Sequence, residues 1–209
     1  SMIPYIKLNL WSIYMKEKVN SLGESIAQFI RFDVTNQYNR FLNQNRRGNV
    51  RYEQLDNDTF LVKLDILPYI IEKKGKYYEF GEATLGLQLR TEKEVLIYES
   101  PPRILTSNYK HPQVFRSGEI SYNITNPMVE LGIKFHHQYD FANRKMLARM
   151  TARLLIYGQH RLERGYFGDH ILPVYNIEDV APMIADKRQD IESYAVNNGI
   201  NLERIFNNF

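Results

Sequence analysis

Two runs of strict apolar alternation constrain this chain more than any other feature. Val62, Leu64 and Ile66 alternate with Leu61, Lys63, Asp65 and Leu67. Ala83, Leu85, Leu87 and Leu89 alternate with Thr84, Gly86, Gln88 and Arg90. Successive side chains of a strand point to opposite faces, so each run predicts a strand with one face in a core. Val50 to Asp56 precedes the first run across a tight turn at Asp56-Asn57-Asp58-Thr59, as in a hairpin. Tyr77 to Arg90 reads as a third strand region, and Val95 to Tyr98 is a further apolar piece. Helical spacing lies on either side of these strands. Ile13 to about Asn45 repeats apolar residues at i, i+3 and i+4 and stops at Arg46-Arg47-Gly48-Asn49. Asn143 to about Arg164 places Met146, Met150, Leu154 and Tyr157 on one stripe, with Leu147 and Leu155 beside it. Asn176 is a candidate N-cap for a helix ending near Asn198-Gly199, and Leu202 to Phe206 suggests a short final one. Strands grouped together, rather than alternating with helices, predict an α+β fold. Its order is an N-terminal helix, an antiparallel meander of about four strands, an irregular segment and C-terminal helices.

The 209 residues suit a single domain, with a core at about 12–165 and a C-terminal helical extension at about 166–209. At 44% hydrophobic and 13% aromatic, the chain can bury a sizeable core. No apolar run approaches the roughly 20 residues that span a bilayer. The start, S-M-I-P-Y-I-K, has no apolar h-region, so neither signal peptide nor membrane association is expected, and the expected location is the cytoplasm. Ser1-Met2 reads as a tag remnant before a native Met. A net charge of +3 is too balanced to argue for nucleic acid. The absence of cysteine excludes disulfides, thiolate metal sites and a cysteine nucleophile in the chain as it stands.

Chemistry concentrates between Pro101 and Ile124, in PPRILTSNYKHPQVFRSGEISYNI. Pro101-Pro102 leads into a short strand, Arg103-Ile104-Leu105. His111-Pro112-Gln113 follows, then Gly118 and Ile120, with Ser121 ten residues after the histidine. This segment resembles the active-site segment of the ubiquitin-conjugating enzymes. There a Tyr-His-Pro-Asn turn precedes a glycine, an aliphatic residue and the catalytic cysteine at that same distance. The resemblance covers residues 95–124; beyond Ile124 the family's tryptophan and proline segment does not align, which suggests an outlying branch. It implies the family's fold, which has the same element order. It also implies transfer of a ubiquitin-like modifier, held as a thioester, from an activating enzyme to a protein substrate, with no cofactor. Ser121 then occupies the nucleophile position. Gln113 stands where the family's asparagine supports the loop or the oxyanion, keeping the amide with one more methylene. His111 takes the structural position that braces the turn. A serine hydroxyl needs a general base, and no histidine other than His111 lies nearby in sequence. Ser121 is therefore either the mark of a natural non-catalytic member or an engineered replacement of cysteine. An unrelated α+β interaction protein is the alternative outside the family.

Arg144, Lys145, Arg149 and Arg153 form a basic stripe on the long helix. It reads as a solvated face or as a docking face for an acidic partner or nucleic acid, with Arg149 and Arg153 as the partner-binding candidates. Tyr77, Tyr78 and Phe80 offer either sheet packing or a contact patch. His136-His137 with Asp140 lacks a helical or zincin context, so no metal site is expected.

Overall fold

The computed structural model describes residues 50–56, 58–92, 94–122, 132–134, 136–164 and 173–200. The helix expected over 13–45 and the short one expected over 202–206 lie outside these residues. Strands β1 (Val50–Gln54) and β2 (Thr59–Ile66) form the expected hairpin, with Val50 opposite Leu64 and Gln54 opposite Phe60. Its turn is fixed by Asp56, whose Oδ1 accepts from the backbone N–H of Asp58 at 2.8 Å and of Thr59 at 2.7 Å. A second hairpin follows, β3 (Tyr69–Lys73) and β4 (Lys76–Phe80), closed at Lys74-Gly75 with both residues at positive φ. Next come β5 (Ala83–Glu92), β6 (Val95–Tyr98), β7 (Arg103–Ile104) and β8 (Gln138–Asp140). A 3-10 turn (Phe141–Asn143), capped by the Asp140 carboxylate, leads into α1 (Arg144–Arg164). The described chain ends with α2 (Ile177–Val180), β9 (Met183–Ala185) and α3 (Arg188–Asn198).

The fold is α+β. One antiparallel sheet runs β1-β2-β5-β6-β8, with β7 paired to β5. Its β1, β2, β5 and β6 are a meander in chain order, interrupted by the β3–β4 hairpin. That hairpin forms a separate three-stranded antiparallel sheet, β3-β4-β9. Alternation dictates which face is covered: Phe60, Val62, Leu64 and Ile66 of β2 and Ala83, Leu85, Leu87 and Leu89 of β5 are all buried. They are in register, Leu64 opposite Leu85 and Val62 opposite Leu87, so each cross-strand pair adds to one continuous apolar surface. Helix α1 lies against β5 and β3. Leu147, Leu154, Leu155 and Leu162 are fully buried, and Tyr98 reaches into the helix to bond Thr151 Oγ1 at 2.8 Å. At Gly158 a Cβ would sit 2.9 Å from Leu85 Cδ2, so the glycine permits the close approach of helix to sheet.

Three sequence expectations change. Tyr77 to Arg90 is two strands in two different sheets, parted at Gly81-Glu82. The helix expected from Asn176 to Asn198 is broken into α2, β9 and α3. Pro182 supplies the break, because proline disfavours helical backbone at the residue before it, here Ala181. Gly199, at φ 63°, does end α3. Met146 is exposed at 44%, while residues 154–159 are buried in succession, so the second half of α1 is covered on all sides rather than on one stripe.

Candidate functional site

After β7 the chain leaves regular structure and runs from Leu105 to Tyr122 as one irregular segment. Leu105 N–H still donates to Thr84 O at 2.8 Å, and Thr84 N–H donates to Thr106 Oγ1 at 2.8 Å. These bonds tie the departing chain to β5. A turn at Ser107-Asn108, with Asn108 at φ 56°, reverses direction and delivers Tyr109 and His111 inward. Residues 113–121 then fold into a miniature hairpin. Val114 bridges Ile120, Phe115 N–H donates to Glu119 O at 2.8 Å, and Ser121 N–H donates to Gln113 O at 2.7 Å. The hairpin docks on β7 through Ile104 N–H to Gly118 O, 2.8 Å. At Gly118, φ is 88° and a Cβ would lie 2.3 Å from the Ile104 carbonyl oxygen, so no other residue fits without moving the strand.

His111 is fully buried at the base of this loop. Its Nδ1 accepts from Gln113 N–H at 2.9 Å, which fixes the tautomer. The proton is on Nε2, which donates to Leu162 O at 3.0 Å, near the end of α1. Tyr69, Phe80 and Tyr109 surround the ring, Phe80 with a centroid separation of 4.9 Å and Tyr109 stacked at 6.4 Å. The Tyr69 and Tyr109 hydroxyls bond each other at 2.9 Å. Burial pushes the His111 pKa down to about 3, partly opposed by its bond to Leu162, so the ring is neutral at ordinary pH. Burial also pushes the Tyr109 hydroxyl up to about 12. The imidazole thus joins the turn, the hairpin and the end of α1 in one brace.

The structure brings His111, Gln113 and Ser121 into a single unit, with the Gln113 backbone bonded to both of the others. Gln113 is 1% exposed, whereas Ser121 is half-buried where the hairpin ends. Next to it, Tyr122 donates its hydroxyl to Pro102 O at 2.8 Å, and burial raises its pKa. His111 is not available to Ser121 as a general base: both ring nitrogens are occupied and the ring is sealed from the surface. Arg149 is exposed and Arg153 half-buried on α1, and among the described residues neither forms an ion pair. Tyr77, Tyr78 and Phe80 are buried, which removes the contact patch and leaves sheet packing. His136 faces Glu99 at 3.5 Å and His137 meets Tyr139 edge-on. Among the described residues no cluster of three or more His, Asp or Glu could hold a metal ion.

Sequence reasoning missed the aromatic residues around His111 and the Leu162 carbonyl. Tyr109 carried no signal of its own, because Lys110 holds the place directly before the histidine. Tyr69 and Phe80 arrive from the inserted hairpin, and a backbone carbonyl leaves no mark in a sequence. The chain matches no family model, no curated protein and no solved structure. Function is therefore read from the geometry of the 105–122 segment. Among the described residues no helix is long and apolar enough to cross a membrane.

Proposed function

We propose that this chain is a ubiquitin-conjugating-like protein, acting in the cytoplasm, whose position 121 receives a ubiquitin-like modifier from an activating enzyme and passes it to a protein substrate. The observation that supports this reading is the braced loop. It holds position 121 half-exposed at a fixed place, ten residues after a histidine whose whole hydrogen-bonding capacity is spent on rigidity. With cysteine at 121, the thiolate attacks the carbonyl of the modifier's thioester and the activating enzyme's thiolate leaves. A substrate amine then attacks the new thioester and the position-121 thiolate leaves. The rigid loop favours both steps by holding the acyl carbon in one geometry. The Gln113 amide lies inside the loop, so its part in this scheme is to keep the hairpin in shape, with oxyanion support requiring the loop to open. Arg149 and Arg153, exposed and half-buried on α1, form the docking face for an acidic partner.

A second reading, a non-catalytic binding module of the same architecture, is favoured by one observation. Ser121 has no base in His111, so the hydroxyl as it stands is a poor nucleophile. One experiment separates the two. Ser121→Cys is mixed with candidate modifiers and activating enzymes encoded by neighbouring genes and resolved on gels with and without reductant. The carrier reading expects an adduct that reductant cleaves, and no such adduct with the serine form. It also expects loading to fall when Arg149→Glu and Arg153→Glu are added, with little change in melting temperature. A folded Ser121→Cys protein that forms no reductant-sensitive adduct with any cognate pair rejects the carrier reading in favour of the binding module.

A further inference from the structure

A trough of about 690 Å³ lies between two walls, the 106–110 turn and the tip of the 113–121 hairpin, with β7 and Tyr175 also lining it. Three cations face it, Arg103, Lys110 and Arg116, and among the described residues no carboxylate lines it. The Arg103 guanidinium is held by donation to Ser117 O at 2.6 Å, a neutral acceptor, and among the described residues it forms no ion pair. Lys110 and Arg116 are exposed, and among the described residues neither has an ion-pair partner. Glu119, opposite Arg103 in the backbone bridge, forms no ion pair with it. On the rim, Phe115 is 46% exposed, an unusual place for a large apolar ring next to charge. Hydroxyls and amides of the turn, Ser107 among them, supply further donors.

We propose that this trough binds an extended acidic peptide segment of a partner protein, its carboxylates meeting Arg103, Lys110 and Arg116 and an apolar residue covering Phe115. The shape favours a chain over a small molecule. Small-ligand sites enclose most of their ligand, whereas this trough between turn and hairpin tip is partly open and admits an extended backbone. The charge favours carboxylates over a nucleic-acid backbone. The three cations here sit within one short trough, and a net charge of +3 does not make the chain strongly basic overall. Aromatic residues and arginine are enriched at protein interfaces, and Phe115 and Arg116 bring both to this trough. The inference goes beyond the carrier reading and needs no acyl chemistry, so either can fail while the other stands.

The test uses the full chain with Ser121 in place and a fluorescein-labelled Glu-Glu-Phe-Glu-Glu peptide, followed by fluorescence anisotropy. Binding should weaken as salt rises, because exposed charges are screened. It should fall at least tenfold in Lys110→Glu/Arg116→Glu and severalfold in Phe115→Ala, with melting temperatures unchanged. A peptide with Lys in place of Glu should not bind. Equal binding by the charge-reversed variant, or by the lysine peptide, overturns the proposal. So does tighter binding of inorganic phosphate or a nucleoside triphosphate, which would make the trough a small-anion site. A labelled single-stranded oligonucleotide that binds better than the peptide overturns it in favour of nucleic acid.

Discussion

At the scale of single residues, His111 shows how a titratable side chain can serve rigidity alone. Its folded pKa of about 3 lies below the ordinary value of about 6.5, so the folded state resists a proton that the unfolded chain accepts. Stability from the neutral ring is complete above about pH 6.5 and is lost as pH falls towards 3. The slope is up to about 1.4 kcal/mol per pH unit. His111→Leu should cost about 2–5 kcal/mol at pH 7, since it orphans the Gln113 N–H and the Leu162 carbonyl. Between pH 6.5 and 4 its urea midpoints should decline less steeply than those of the parent. Parallel declines would show that the ring does not titrate on unfolding in this range. The motif marked His111 in the sequence, but not the reason for its depth. That reason is the packing of Tyr69, Phe80 and Tyr109, which come together only in three dimensions.

At the scale of elements, the 113–121 hairpin is held at its tip by a backbone bond from Ile104, the Arg103 donation to Ser117 O and one close-packed glycine. Gly118→Ala should lower stability by several kcal/mol, because the methyl group meets a carbonyl oxygen rather than a yielding side chain. Amide exchange should speed up at Ile104, Phe115 and Ser121 and stay slow in β2. An unchanged Ile104 amide would mean that the hairpin does not depend on this contact. The elements legible in the sequence were those with a clean period: β2 and β5 by alternation, α1 by its helical repeat, and the end of α3 by Gly199. The β3 strand was missed because Tyr69, Ile70 and Ile71 are buried in succession, which erases the alternation. The separation of β4 from β5 was missed although Gly81 marked it. The break at Pro182 was equally visible and was passed over for the helical spacing around it.

At the scale of the molecule, the described residues form two apolar clusters. The larger lies between the main sheet and α1. The smaller joins Ile70 and Tyr77 of the inserted hairpin to Ala185, Ile191, Ala195 and Ile200. Tyr194 ties the same elements together by donating its hydroxyl to Glu79 at 2.6 Å. Ile191→Ala should cost about 2–5 kcal/mol. The amides of β4 and β9 should lose exchange protection before those of β2 and β5. Uniform loss across both sheets would mean that the two clusters act as one cooperative unit. The pairing of β4 with β9 also has a consequence in time. Tyr78 lies opposite Met183, about a hundred residues further along the chain. During synthesis the β3–β4 ribbon is complete about a hundred residues before β9 is made, so its outer edge waits for all of that intervening chain. An edge with open N–H and C=O groups and aromatic neighbours invites pairing with another nascent chain. The slow closure of so long a loop extends that exposure. The three residues of β9 are thus the ones that close the hazard, and expression yield should depend on them more than their small share of the core suggests.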